Sequence, residues 1–205
     1  MAQVTRGLYA VLSMPFIYTA FQNLMGAQRG WADFVRDFVK PSIGGRLLDV
    51  GCGPGELLSY LPEMEYWGFD ISEAYIEYAR GKFGARGNFV CKLLVAEDLA
   101  TMPRFDVVVA SGVLHHMDDD VARDFVALSH AALKPGGRFV TVDPCWTDHQ
   151  HPVARFLISR DRGRNVRTAI GYEQLVSPVF RERKITVRHK AWVPYTHCFM
   201  ECVRG

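Results

Sequence analysis

Short apolar runs that end in turn residues recur along this chain, and helical spacing fills most of the gaps between them. Arg46-Leu47-Leu48-Asp49-Val50 has the length and branched content of a buried parallel strand, and so do Tyr66 to Asp70, Phe89 to Val95, Phe105 to Ala110 and Arg138 to Val142. Glu56 to Leu61 has the spacing of a helix start. Ser72 is placed to cap a helix reaching about Phe83, and Asp118 to Leu133 reads as another. Strands that alternate with helices predict an α/β fold with a doubly wound parallel sheet, whose ligands lie beyond the carboxyl ends of the strands. Asp49, Asp70, Ala110 and Asp143 stand at those ends. Nearer the C-terminus, 184–189 and 195–202 alternate with period two on either side of Pro194.

The N-terminal pattern differs. No charged residue occurs from Gly7 to Gln28, and Leu8 to Phe21 is largely apolar. Pro15, Gln22 and Asn23 interrupt the run, and Met25-Gly26-Ala27 lacks the paired small residues of a signal cleavage site. Ile17, Ala20, Phe21, Leu24 and Met25 keep helical spacing, with Tyr18 and Gln22 on another face, which predicts an N-terminal helical lid; contact with a membrane surface is the alternative. Trp31 to Val39 predicts a second amphipathic helix, ended by Pro41 and Gly44-Gly45.

Composition narrows the class. With 205 residues, 49% of them hydrophobic, the chain can bury the core of one domain. A net charge of +2 argues against a surface built throughout for nucleic acid. The five cysteines, Cys52, Cys91, Cys145, Cys198 and Cys202, are odd in number and lack paired zinc spacing, so free thiols in a reducing cytoplasm and no metal are expected. On a strand, Cys198 and Cys202 would stand about 13 Å apart.

The turn after the first strand carries the chemistry. Gly51, Gly53 and Gly55 alternate with Cys52 and Pro54, leaving a main chain that a ligand can approach closely. A dinucleotide fingerprint would place a third glycine where this chain has Glu56, whose carboxylate would oppose a diphosphate and suit a cationic or zwitterionic ligand. Asp70, twenty-one residues after Asp49, stands where a carboxylate accepts ribose hydroxyls.

Leu48-Asp49-Val50-Gly51-Cys52-Gly53-Pro54-Gly55 resembles the first motif of the class I S-adenosylmethionine-dependent methyltransferases. Phe105 to Ala110 followed by Leu114-His115-His116, and then Leu133-Lys134-Pro135-Gly136-Gly137-Arg138, match that family in the expected order over roughly residues 40 to 145. The resemblance implies a Rossmann-like seven-stranded sheet closed by an antiparallel C-terminal hairpin, S-adenosyl-L-methionine as methyl donor and S-adenosyl-L-homocysteine as product. It implies one methyltransferase domain over 1–205, with a lid (1–40), a cofactor core (45–145), an acceptor-side insert (146–181) and a hairpin (182–205). Asp49, Gly51, Cys52 and Gly53 would underlie the methionine part, Asp70 would hold the ribose and Ile71 would flank the adenine. Ala110 and Ser111 would close the cofactor site. Where the family places an adenine-binding aspartate this chain has Val95, so Glu97, Asp98 or the backbone near Ala96 would substitute.

His115 and His116 follow the fourth strand, where a histidine can be a base, a substrate ligand or a structural residue. Cys52 reads as a small packed residue. The dense cluster from Ser159 to Arg167 offers Arg160, Arg164 and Arg167 as ligands for a carboxylate or phosphate, or else as a solvated turn. Tyr18, Tyr172, Tyr195 and His197 are further acceptor-pocket candidates. The expected partner is a small-molecule acceptor, acidic or amphiphilic. An RNA methyltransferase is the second reading, disfavoured by the modest charge and by the absence of an Asn/Asp-Pro-Pro-Tyr motif; a non-catalytic adenosylmethionine binder is the third.

Overall fold

A computed structural model describes residues 27–161, 163–190 and 194–205. The predicted lid helix, with Tyr18 in it, lies outside the described residues. The described residues form two compact units, 27–94 and 95–205.

In the first unit, helix α1 (Ala27–Phe34) runs into a wide π turn (Val35–Val39), where the sequence predicts one continuous helix. Val35, Phe38 and Val39 are buried, and Lys40 closes the turn at φ 44°, its N–H donating to the Val35 carbonyl at 2.8 Å. Strands β1 (Arg46–Val50), β2 (Glu65–Asp70) and β3 (Asn88–Cys91) pair in parallel in the order β3-β2-β1. Helix α2 (Glu73–Phe83) connects β2 to β3, with the Ser72 hydroxyl accepting from the Tyr75 N–H.

Two expectations in this unit need correction. Glu56–Tyr60 is a 3₁₀ turn of five residues, not the start of an α-helix. Leu61, followed by Pro62, is held extended at φ −88°, ψ 146°, since proline disfavours a helical residue before it. Strand β3 ends at Cys91, short of the predicted Val95. The chain there turns into a 3₁₀ helix (Ala96–Ala100), begun by the Val95 N–H donating to Asp98 Oδ2 at 3.0 Å.

In the second unit, β4 (Phe105–Ser111), α3 (Asp119–Ala132) and β5 (Leu133–Trp146) form the predicted crossover, with β4 and β5 parallel. Asp118 caps α3, its Oδ1 accepting from the Val121 N–H at 3.1 Å. Strands β7 (Glu182–Lys190) and β8 (Tyr195–Val203) form the antiparallel hairpin, and β8 runs antiparallel to β5, giving the order β4-β5-β8-β7. Alternation places Thr196, Cys198, Met200 and Cys202 inside. Between β5 and β7 the chain adds α4 (Pro152–Ser159), a two-residue strand β6 (Arg167–Thr168) and α5 (Ala169–Val176). Eight strands thus form among the described residues, the short β6 being one more than expected. No helix among the described residues is long and apolar enough to cross a membrane.

Candidate active site

In the first unit the site grows from the end of β1. Gly51, Gly53 and Gly55 all take positive φ, at 75°, 52° and 76°. A Cβ at Gly55 would stand 3.0 Å from the Phe89 ring, so that position needs both the conformation and the space of glycine. The N–H groups of Gly51 and Cys52 both donate to the Phe69 carbonyl, at 2.7 and 3.0 Å, and that of Gly53 donates to Asp70 Oδ2 at 2.9 Å. The donors that the sequence offers to a ligand are therefore committed to the end of β2. What remains is a bare surface, with nothing within 4 Å of a Cβ built on Gly53.

Two carboxylates frame that surface. Asp49 is 3% exposed and accepts from the Tyr66 hydroxyl at 2.7 Å. Burial pushes its carboxyl up to about 7, against the Tyr66 bond and with a smaller push from the charge of Asp70. Asp70 accepts from the Ser72 N–H at Oδ1 (2.8 Å) and from Gly53 at Oδ2, and burial raises its carboxyl as well. Beside it Ile71 stands 54% exposed. Open space over a glycine turn, two acceptor carboxylates and an exposed apolar side chain fit a ligand with a cationic centre, a diol and a flat ring. Cys52 is buried, and burial drives its thiol far above the usual range, as a packed residue requires. Glu56 pairs with Lys82 at 2.8 Å, so its charge no longer opposes a diphosphate by itself; the missing third glycine still does.

Asp49 gives the first testable consequence. A carboxyl raised from 3.8 to about 7 in the folded chain keeps its proton there while the unfolded chain has lost its own, so stability falls as pH rises between those values. Asp49→Asn should flatten that part of the profile. Unfolding midpoints of wild type and variant from pH 4 to 7 check it, and parallel profiles would show that Asp49 ionises normally.

In the second unit, the Val95 N–H donates to Asp98 Oδ2 at 3.0 Å, Asp98 is half-buried, and Ala96 and Glu97 are exposed. Ala110 is buried and Ser111 half-buried at the end of β4. His115 is 5% exposed and both ring nitrogens face carboxylates: Nδ1 lies 2.7 Å from Asp143 Oδ1 and Nε2 lies 3.2 Å from Asp161 Oδ1. Burial alone would lower the imidazole, but the bonds to Asp143 and Asp161 outweigh it and raise it to about 9. Asp161 also accepts from the Gly163 N–H (2.8 Å) and the Tyr195 hydroxyl (2.9 Å); against the opposing effect of burial, His115 and these donors hold it down at about 2. A charged imidazole with both nitrogens engaged has no lone pair with which to take a proton. His116 stacks on it at 4.1 Å between ring centroids and is the half-buried member of the pair.

The acceptor candidates separate. Arg167 is used structurally: it donates to Asp119 Oδ1 at 2.7 Å and to the carbonyls of Leu114, Asn165 and Met117. Tyr172 is fully buried and donates to the Pro144 carbonyl at 2.9 Å, so it is a core residue and not a pocket residue. Arg160 and Arg164 are exposed, and the Arg160 guanidinium lies 5.3 Å over the Phe156 ring. His197 packs between Tyr195 and Phe199. The sequence reading gave no role to Asp143 or Asp161. Asp143 shared the strand-end position of Asp49 and Asp70, whereas nothing marked Asp161 among its arginines.

Residues 48–139 match the family model described as a methyltransferase domain. The chain is 38% identical over 114 residues to the ubiquinone biosynthesis O-methyltransferase of Mesorhizobium japonicum, covering 52% of this chain and 44% of that protein. It is 41% identical over 78 residues to the malonyl-[acyl-carrier protein] O-methyltransferase of Legionella pneumophila, covering 34% and 26%. The chain thus spans less than half the length of these curated relatives. Among solved structures it is similar to the N-methyltransferase NodS of Bradyrhizobium japonicum in complex with S-adenosyl-L-homocysteine (TM-score 0.66, 14% identity, 86% of each chain). It is also similar to Haemonchus contortus phospholethanolamine N-methyltransferase 2 (TM-score 0.71, 15% identity, 98% of this chain and 58% of that one). These likenesses show the Rossmann-like, mostly parallel fold.

Proposed function

We propose, on the match of residues 48–139 to the methyltransferase-domain model, that the protein is an S-adenosylmethionine-dependent methyltransferase acting on a small molecule. The observation that carries the reading is the pair Asp49 and Asp70 around an open glycine turn. Asp70 would accept the ribose hydroxyls, Asp49 and the Gly51 to Gly53 surface would receive the cationic methionine part, and Ile71 would cover one face of the adenine. The donor supplies a methyl group on a sulfonium, so its departure needs no acid. The protein's task is then to aim the acceptor, and orientation alone is worth about 7–11 kcal/mol in the best intramolecular cases. With His115 engaged on both sides, His116 is the histidine that would accept a proton from an acceptor needing deprotonation.

The names of the two O-methyltransferase relatives support an organic acceptor. Arg160 stacked over Phe156, itself 58% exposed, supports an amphiphilic anion, since it sets a cation against an apolar ring. Calorimetry tests the assignment: S-adenosylmethionine and S-adenosylhomocysteine should bind and a nicotinamide dinucleotide should not. Comparable affinity for the dinucleotide would overturn it.

A further inference from the structure

Asp161 and the stretch Gly163 to Asn165 carry no regular secondary structure, yet they lie closely along residues 114–117. The Asn165 N–H donates to the His115 carbonyl at 3.0 Å. Gly163 packs so tightly there that a Cβ would stand 2.7 Å from that carbonyl oxygen and run into the imidazole ring. Arg167 clamps the following turn onto the carbonyls of Leu114 and Met117. These contacts use amide and guanidinium donors, which keep their protons throughout the working pH range.

The His115 ring does not. A neutral imidazole has one N–H, so one of its two carboxylate neighbours would then face a lone pair. The arrangement of Asp143, His115 and Asp161 is favourable only while the ring is an imidazolium. Asp143 is buried and also accepts from the His115 backbone N–H at 3.2 Å, so it retains the Nδ1 proton. Asp161 is the more exposed partner and keeps the donors of Gly163 and Tyr195, so the contact that breaks is the one at Nε2.

We propose that His115 is a positioning residue that acts as a proton-dependent latch: as imidazolium it fixes Asp161 and the stretch Gly163 to Asn165, and with them Arg160 and Arg164, to the chain beyond β4, and on losing the Nε2 proton it releases them. The groups that bear on its titration are Asp143 from β5, Asp161 itself, Tyr195 from β8 behind Asp161, and the stacked ring of His116. Arg167 lies along the same stretch, and Tyr172 and Cys198 adjoin the charge of Asp143. The two carboxylates raise the imidazole to about 9, so the latch is closed at neutral pH and opens in the alkaline range.

The test is nuclear magnetic resonance on full-length protein labelled with ¹⁵N, which needs neither methyl donor nor acceptor and so is independent of the assigned reaction. Both ring nitrogens of His115 should be protonated at pH 7. Protection of the Asn165 amide, which donates to the His115 carbonyl, corrected for intrinsic exchange, should fall about tenfold per pH unit above the His115 midpoint, while the amides of α3 keep theirs. Asp161→Asn, a change at a half-buried turn, should lower that midpoint and reduce protection at pH 7 by about tenfold, with no further alkaline loss. A single ring N–H at pH 7, or protection at 165 that ignores the His115 midpoint, would overturn the proposal.

Discussion

His115→Ala should cost about 3–5 kcal/mol of stability at pH 7, because it removes the imidazolium and leaves the buried Asp143 carboxylate with backbone N–H donors alone. The loss is not only a missing contact. Asp143 Oδ2 already has no hydrogen-bond partner among the described residues, so its desolvated charge rests on what Oδ1 receives from His115. The pH dependence gives the prediction its shape. The imidazole is raised from 6.5 in the unfolded chain to about 9 in the folded one, so its stabilisation is complete below 6.5 and is lost as pH rises through 9. The deficit of the variant that comes from this linkage should therefore be full below pH 6.5, decline through neutrality and be lost above pH 9. Urea unfolding of both proteins at pH 7 and pH 10 measures it, and an equal deficit at the two values would assign the effect to lost packing.

Asp70→Ala should weaken binding of S-adenosylmethionine by about 1.5–3 kcal/mol, the worth of hydrogen bonds to a charged group, or roughly 10- to 150-fold in dissociation constant. The same side chain holds the Gly53 and Ser72 N–H groups, so some of the loss would come through the shape of the glycine turn. Asp70→Asn separates the two contributions, since its amide oxygen can still accept one of those bonds while the charge is gone. Calorimetry on both variants, with circular dichroism to confirm the fold, reads the result. An unchanged constant in Asp70→Ala would remove Asp70 from the site.

What could be read in the sequence was whatever depends on neighbours along the chain. Period and punctuation located β1, β2, β4, α2 and α3 closely, because each buries a face set by its own residues. The 3₁₀ turn at Glu56–Tyr60 was missed although Leu61-Pro62 announced it, and α4 and α5 were absorbed into an irregular insert despite the His151-Pro152 and Thr168 starts that cap them. The site divided in the same way. Asp49 and Asp70 stood out in the sequence because each lies at the carboxyl end of an apolar strand. The bond from Tyr66 to Asp49, the pairing of Lys82 with Glu56 and the meeting of His115 with Asp161 join residues 17, 26 and 46 apart, and no local pattern encodes them. Arg167 and Tyr172 were misread for the same reason, since whether a guanidinium or phenol faces a ligand or a carbonyl is decided by the fold.

Strand β7 is the outermost strand of the order β4-β5-β8-β7 and pairs with β8 along one side. An unpaired strand edge is a template on which a second copy can extend the sheet, above all when the strand carries β-branched residues such as Ile185 and Val187. Glu182, Arg183, Lys184 and Arg188 populate this one with charge, and an antiparallel copy centred on Thr186 would set Lys184 against Arg188. The colloidal behaviour of the protein therefore rests partly on the charges along this edge. Exchanging those cations for threonine or valine would spare the chemistry and invite filaments.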